Sequence, residues 1–94
     1  MTVFWTPEAL ADRHVIYDYI EADNPNAAAF LDERFSAAAS GLNCHPYLGR
    51  SGRITGTREL VVGQNYILVY DVAEAGIRVL RVLHVARQWP AAGQ

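Results

Sequence analysis

The sequence predicts an α+β fold in which a helical hairpin packs on one antiparallel sheet, with elements in the order β-α-α-β-β-β. Three observations predict it. Two helix-start signals, Thr6-Pro7-Glu8 and Asn24-Pro25, open consecutive segments joined by a link of about three residues. Three strand-type runs, TRELVV (57–62), YILVYDV (66–72) and IRVLRVLHV (77–85), then follow one another through turn-length links. A short run of β-prone residues, VFW, precedes the helices. The whole chain, 1–94, is read as one domain with 91–94 a loose tail, because 94 residues leave no room for a second core.

Each element has its own physical justification. The first strand covers Thr2 to Trp5. Having no hairpin partner beside it in sequence, it is expected to join an edge of the sheet after the helices. In the first helix Thr6 is a cap, Pro7 supplies a preset φ at the first position, and Glu8 complements the helix dipole. Leu10, His14, Tyr17 and Ile20 form the expected inward stripe, and Asp23-Asn24-Pro25 ends the helix near Ala22. In the second helix Asn24 caps, and Ala27, Leu31, Phe35, Ala38 and Leu42 recur at helical spacing to near Gly41. The short link makes the two an antiparallel hairpin. Residues 43–56, NCHPYLGRSGRITG, form a long loop of a kind that often carries function. The three last runs form an antiparallel meander. Its first turn pairs Val62 with Tyr66, with Gly63 or Asn65 taking a positive φ. Ile77–Val85 is apolar on both parities and reads as an interior strand.

Composition narrows the function classes. The hydrophobic fraction of 51% and charged fraction of 19% exclude a disordered chain. The single cysteine, Cys44, excludes an internal disulfide, and a reducing cytoplasm is the simplest setting. No apolar run approaches the ~18 residues of a membrane span, and the N-terminus lacks the pattern of a secretion signal. The net charge of −2 hides an asymmetry. Residues 1–49 carry two arginines and seven acids, whereas residues 50–94 carry six arginines and three acids, with no lysine in the chain. Guanidinium forks suit bidentate contact with phosphate or carboxylate, so the second half is expected to meet an acidic or polyanionic partner.

Catalytic and metal motifs are sparse. His14, Cys44, His45 and His84 are scattered, so no metal site is expected, and no cofactor. The glycines of GRSGRITG follow a helix and precede a strand, the wrong context for a dinucleotide site. The candidate functional residues lie at the end of the last strand, in RVLHVARQWP: Arg81, His84, Arg87 and Trp89. Arg53 and Arg58 join them as binding residues. Arg58, Arg81, Arg87 and His84 are also the residue types that metal-independent RNA cleavage would need, with Glu59 or Asp71 as the only nearby carboxylate base. A core histidine for His84, and a salt bridge from Arg81 to Asp71 or Glu59, are the structural alternatives.

The element order, the length and the stretches GRITGTRELVV, NYILVYDV and RVLHVARQWP resemble the RelE/ParE superfamily of toxins from bacterial type II toxin–antitoxin modules, over residues 2–90. The resemblance implies a cytoplasmic toxin neutralised by a cognate antitoxin with an acidic C-terminal segment. It also implies one of two targets. RelE-like members cut mRNA on the ribosome, and ParE-like members poison DNA gyrase. Arg87 matches the arginine that RelE-like members place just after the last strand. Their arginine after the middle-strand tyrosine corresponds to Ile67 here, and their lysines on the preceding strand have no counterpart beyond Arg58. The expectation is therefore ParE-like inhibition of gyrase, with ribosome-dependent mRNA cleavage the alternative and a non-toxic antitoxin-binding module a third.

Overall fold

A computed structural model describes residues 2–86, so the expectations for Arg87, Trp89 and the 91–94 tail lie outside the described residues. The elements are β1 (Thr2–Trp5), α1 (Pro7–Glu21), α2 (Pro25–Gly41), β2 (Arg50–Ser51), β3 (Arg58–Val62), β4 (Tyr66–Ala73) and β5 (Gly76–His84). They build one sheet in the order β1-β5-β4-β3-β2, with the helical hairpin on one face. This is the expected α+β architecture with two differences. The sheet is mixed, because β1 runs parallel to β5. It also has a fifth strand, since Arg50 and Ser51 of the long loop pair with Glu59 and Arg58. A two-residue strand carries no period-2 pattern, so nothing in the sequence could mark it.

The caps act as their chemistry dictates. The hydroxyl of Thr6 accepts from the Ala9 amide at 3.1 Å, and the Asn24 side chain accepts from the Ala27 amide at 3.1 Å. α2 buries Ala28, Phe35 and Ala39, with Leu42 completing its last turn. Phe35 meets Tyr66 edge-on at 5.6 Å between ring centres. Burial of a side chain of that size contributes about 1.5–3 kcal/mol. Arg13 ties the hairpin by donating to the Asp32 carboxylate at 2.9 Å and to the Ser36 hydroxyl at 3.0 Å. Arg13 also lies over the Trp5 ring at 4.5 Å. Arg13 and Asp32 lie about equally far from the link, as in an antiparallel pair.

The inward face of α1 differs from the expected stripe. Ala9 is fully buried and Ile16 packs on the core, whereas Leu10 is 51% exposed and His14 faces water. The backbone decides this. Where β1 ends, the Thr6 amide donates to the Val79 carbonyl at 3.0 Å and its hydroxyl to the Leu80 carbonyl at 2.9 Å. These bonds fix the rotation of the first turn against β5. Small Ala9 then lets the helix approach closely, and Asp12, not Leu10, turns toward the sheet.

The meander has the expected register. Val62 pairs with Tyr66, and Gly63 supplies the positive φ of the turn at +64°. β5 is interior, between β1 and β4. A bulge opposite Val69/Tyr70 inserts Leu80 between Val79 and Arg81 and bends β5 where α1 takes over from β1.

Candidate functional site

The bulge determines what Arg81 does. Its guanidinium donates to Asp12 of α1 through Nε at 2.7 Å and Nη2 at 3.0 Å. The same Asp12 carboxylate accepts from the Val82 backbone amide at 2.9 Å. α1 thus caps the edge of β5 that β1 leaves unpaired, and the carboxylate supplies a ladder acceptor that a strand would otherwise provide. This bidentate hydrogen bond raises the Arg81 pKa above the ordinary arginine value. Neither salt bridge expected for Arg81 forms. Asp71 is held by Arg78 at 2.6 Å, and Glu59 by Arg50 and Arg53.

His84 ends β5 beside Tyr66. Its ring stands edge-on to Tyr66 at 5.3 Å, and Nδ1 accepts from the Ala86 amide at 3.0 Å. His84 is exposed, so it is not a core histidine. Tyr66 is half-buried, and burial, reinforced by the neighbouring Tyr19, pushes its pKa above the usual phenol range. Phe35, Tyr66 and His84 form an aromatic row across the end of the sheet. On the face away from the helices, Ile67, Val69 and Leu83 form a separate buried cluster joined by Leu80. Ile67 is only 3% exposed.

Arg53 and Arg58 belong to the opposite edge of the sheet. Buried Tyr70 staples the long loop there, donating to the Pro46 carbonyl and accepting from the Gly49 amide, both at 2.9 Å. Arg58 donates to the carbonyls of Gly49 at 2.9 Å and Tyr47 at 3.2 Å, and its guanidinium lies 5.3 Å from the Tyr47 ring centre. Glu59, 2% exposed, accepts from the Arg53 amide at 3.1 Å and pairs with the Arg50 and Arg53 guanidiniums at 3.3 and 3.6 Å. Such a buried carboxylate is tolerable only because three donors surround it. Sequence reasoning placed Glu59 as a base and missed it as the organiser of this loop. The signal available was one acid among Arg50, Arg53 and Arg58. The structure therefore separates the predicted residues into two groups: Arg81 and His84 on β5, and Arg53 with Arg58 at the β2–β3 edge.

The fold and these sites can be set beside known proteins. Residues 3–89 match the model of the family described as ParE toxin of type II toxin-antitoxin system, parDE. The chain belongs to the ParE toxin family. Its relatives include Y4kP of Sinorhizobium fredii, 41% identical over 87 residues that cover 92% of this chain and 90% of that protein. Toxin RelE2 of Caulobacter vibrioides is 41% identical over 85 residues, covering 90% of this chain and 96% of the relative. Among solved structures, the chromosomal ParDE toxin–antitoxin system of P. aeruginosa contains a chain that matches with a TM-score of 0.82 at 25% identity, covering 90% of this chain and 96% of that one. The RelBE2 toxin–antitoxin complex of Mycobacterium tuberculosis matches with a TM-score of 0.60 at 27% identity, covering 88% and 95%. The ParE-family sheet thus carries both groups described above, and no helix among its described residues is long and apolar enough to cross a membrane.

Proposed function

We propose that this ParE-family toxin arrests growth by inhibiting DNA gyrase in the cytoplasm, and that a cognate protein antitoxin with an acidic C-terminal segment neutralises it. The observation that carries the choice of target is Ile67. In the nucleolytic branch that position bears an arginine after the middle-strand tyrosine. Here it bears an isoleucine packed with Val69 and Leu83. An aliphatic side chain cannot stabilise the charge of a phosphorane, whose stabilisation is usually the largest catalytic contribution. The neighbouring cations are also committed: Arg81 is bound by Asp12 and Arg78 by Asp71. His84 has one ring nitrogen engaged by the Ala86 amide, which leaves Nε2 alone for proton transfer. The antitoxin is supported by the solved relatives, which come from ParDE and RelBE2 toxin–antitoxin systems.

A second reading, ribosome-dependent mRNA cleavage without a metal, is favoured by the 41% identity to a toxin named RelE2 and by the Tyr66–His84 pair at the sheet end. Inducible expression without antitoxin tests both. The gyrase reading expects DNA breaks, filamentation and, with purified protein, loss of gyrase supercoiling. Codon-specific cuts in ribosome-bound mRNA, seen by toe-printing with gyrase activity intact, overturn it in favour of cleavage. A chain that arrests nothing yet binds antitoxin overturns both readings.

A further inference from the structure

A cleft of about 420 Å³ opens beside the long loop, lined by Tyr47, Ser51, Thr55, Thr57, Arg58 and Val72 together with two glycines. We infer that this cleft is a carboxylate-binding site, and that its occupant is an acidic side chain within an extended, partly apolar peptide segment of the antitoxin. The inference rests on the toxin–antitoxin reading for its partner, and on the geometry alone for its chemistry.

The cleft is built to receive an anion. Arg58 directs Nε and Nη2 to backbone carbonyls, which fixes the fork rigidly. Its Nη1 has no protein acceptor among the described residues. Ser51 and Thr55 line the same space, and neither hydroxyl has a partner among the described residues. The loop tip adds backbone donors. Thr57 folds back through its amide and hydroxyl to the Ile54 carbonyl, and the Gly52 amide donates to the Thr57 carbonyl at 2.7 Å. That closed turn leaves the amides of Thr55 and Gly56 without acceptors among the described residues. Gly52 is required for the closure, since a Cβ there would collide with the Thr57 hydroxyl. Among the described residues no carboxylate lines the cleft. Glu59, the nearest acid in sequence, is occupied by Arg50 and Arg53, and strand alternation directs it to the other face from Arg58.

The surroundings select a peptide over a nucleic acid. One guanidinium with neutral donors matches one carboxylate. A nucleic-acid backbone would need a track of cations to meet its successive phosphates. The cleft walls are instead the Tyr47 ring and Val72, and Leu48 and Ile54 stand 61% and 37% exposed on the same loop. Apolar side chains flanking a single charge are what an acidic segment with interspersed leucine or valine residues would cover.

The test uses the full purified chain and amide-resolved NMR. The probe is a blocked pentapeptide, Glu-Leu-Glu-Leu-Glu, with its Gln-Leu-Gln-Leu-Gln counterpart and a single-stranded oligonucleotide as the other arms. The expected result is saturable shifts at Thr55, Gly56 and the Arg58 side chain with the acidic peptide only. Thr55→Val and Ser51→Ala change exposed side chains and spare the fold. Each is expected to weaken peptide binding about tenfold to a hundredfold, the loss typical of one hydrogen bond to a charged group. Arg58→Lys, which keeps the charge and removes the fork, is expected to weaken it at least as much. Equal binding of the glutamine peptide, shifts confined to other residues, or preference for the oligonucleotide at these amides overturns the site. Growth arrest is scored separately. A non-toxic chain that still binds the peptide refutes the toxin reading and leaves the site standing. A toxic chain whose Thr55→Val variant keeps full affinity for its neutralising antitoxin refutes the site as the antitoxin's.

Discussion

Replacing Asp12 should destabilise this protein more than replacing Arg81, although the two form one ion pair. Asp12 accepts three donors, two from Arg81 and one from the Val82 amide. Asp12→Ala therefore removes the bidentate acceptor of a guanidinium whose side chain is only 25% exposed and orphans a backbone N–H in the sheet. Breaking a buried pair by removing one partner costs about 3–5 kcal/mol, and an unsatisfied buried amide about 1–3 kcal/mol. Water reaching Arg81 reduces the first figure, so a combined loss of about 3–5 kcal/mol is expected. Arg81→Ala leaves Asp12 bonded to Val82 and should cost about 1–2 kcal/mol. Asp12→Asn keeps an oxygen for Val82 and should fall between them. Urea unfolding followed by circular dichroism gives the three values, and growth arrest at matched soluble protein level gives the functional readout. The reasoning fails if Arg81→Ala leaves the urea midpoint unchanged while abolishing arrest. That outcome would make Arg81 a cation that acts on the target and not a fastening between α1 and β5.

Three further outcomes are expected. Phe35→Ala should lose about 3–5 kcal/mol, because Phe35 is 1% exposed, whereas Leu10→Ala, at a site 51% exposed, should stay within about 0.5 kcal/mol; thermal unfolding compares them. Tyr70→Phe removes the hydroxyl that joins Pro46 to Gly49. A loss of about 1–3 kcal/mol and faster amide exchange in residues 46–58 should follow, and unchanged exchange would show the staple to be unnecessary. Tyr66 keeps its proton in the folded state beyond the usual value of 10.0. Its contribution to stability is therefore complete below that pH and lost as pH rises through the folded value, and Tyr66→Phe should flatten this alkaline decline in pH-dependent denaturation.

Much of the architecture is legible in the sequence because it rests on local chemistry. Thr6-Pro7 and Asn24-Pro25 announce their helices, and Phe35 sits on a stripe that has only one apolar face. The Val62–Tyr66 pairing follows from a three-residue turn with Gly63. What the sequence hides depends on tertiary closure. The rotation of α1 is fixed by Thr6 reaching Val79 and Leu80, residues more than seventy positions away. Large apolar Leu10 and Tyr17 outweigh Ala9 in any reading of periodicity, yet Ala9 is the residue at the contact. The bulge at Leu80 has no glycine to mark it, and it redirects Arg81 from the sheet face to Asp12. Residue types at the site were legible, but their partners were not.

This redirection changes what the arginine-rich second half means. As composition, six arginines against three acids point to a polyanionic partner for residues 50–94. As structure, Asp71 and Asp12 bind Arg78 and Arg81, Glu59 draws Arg50 and Arg53 together, and Arg58 spends two of its donor positions on backbone carbonyls. One of these acids, Asp12, comes from the acidic first half, so part of the charge asymmetry is resolved within the fold. Guanidiniums suit that task because a rigid fork can hold a carboxylate or two carbonyls in fixed geometry. The surface that remains is not a uniform basic sheet of the kind that tracks a phosphate backbone. It is a local arrangement in which Arg58 is oriented by its own backbone bonds beside hydroxyls, free amides and apolar walls. Recognition of one carboxylate at a defined position follows from that arrangement more directly than from net charge.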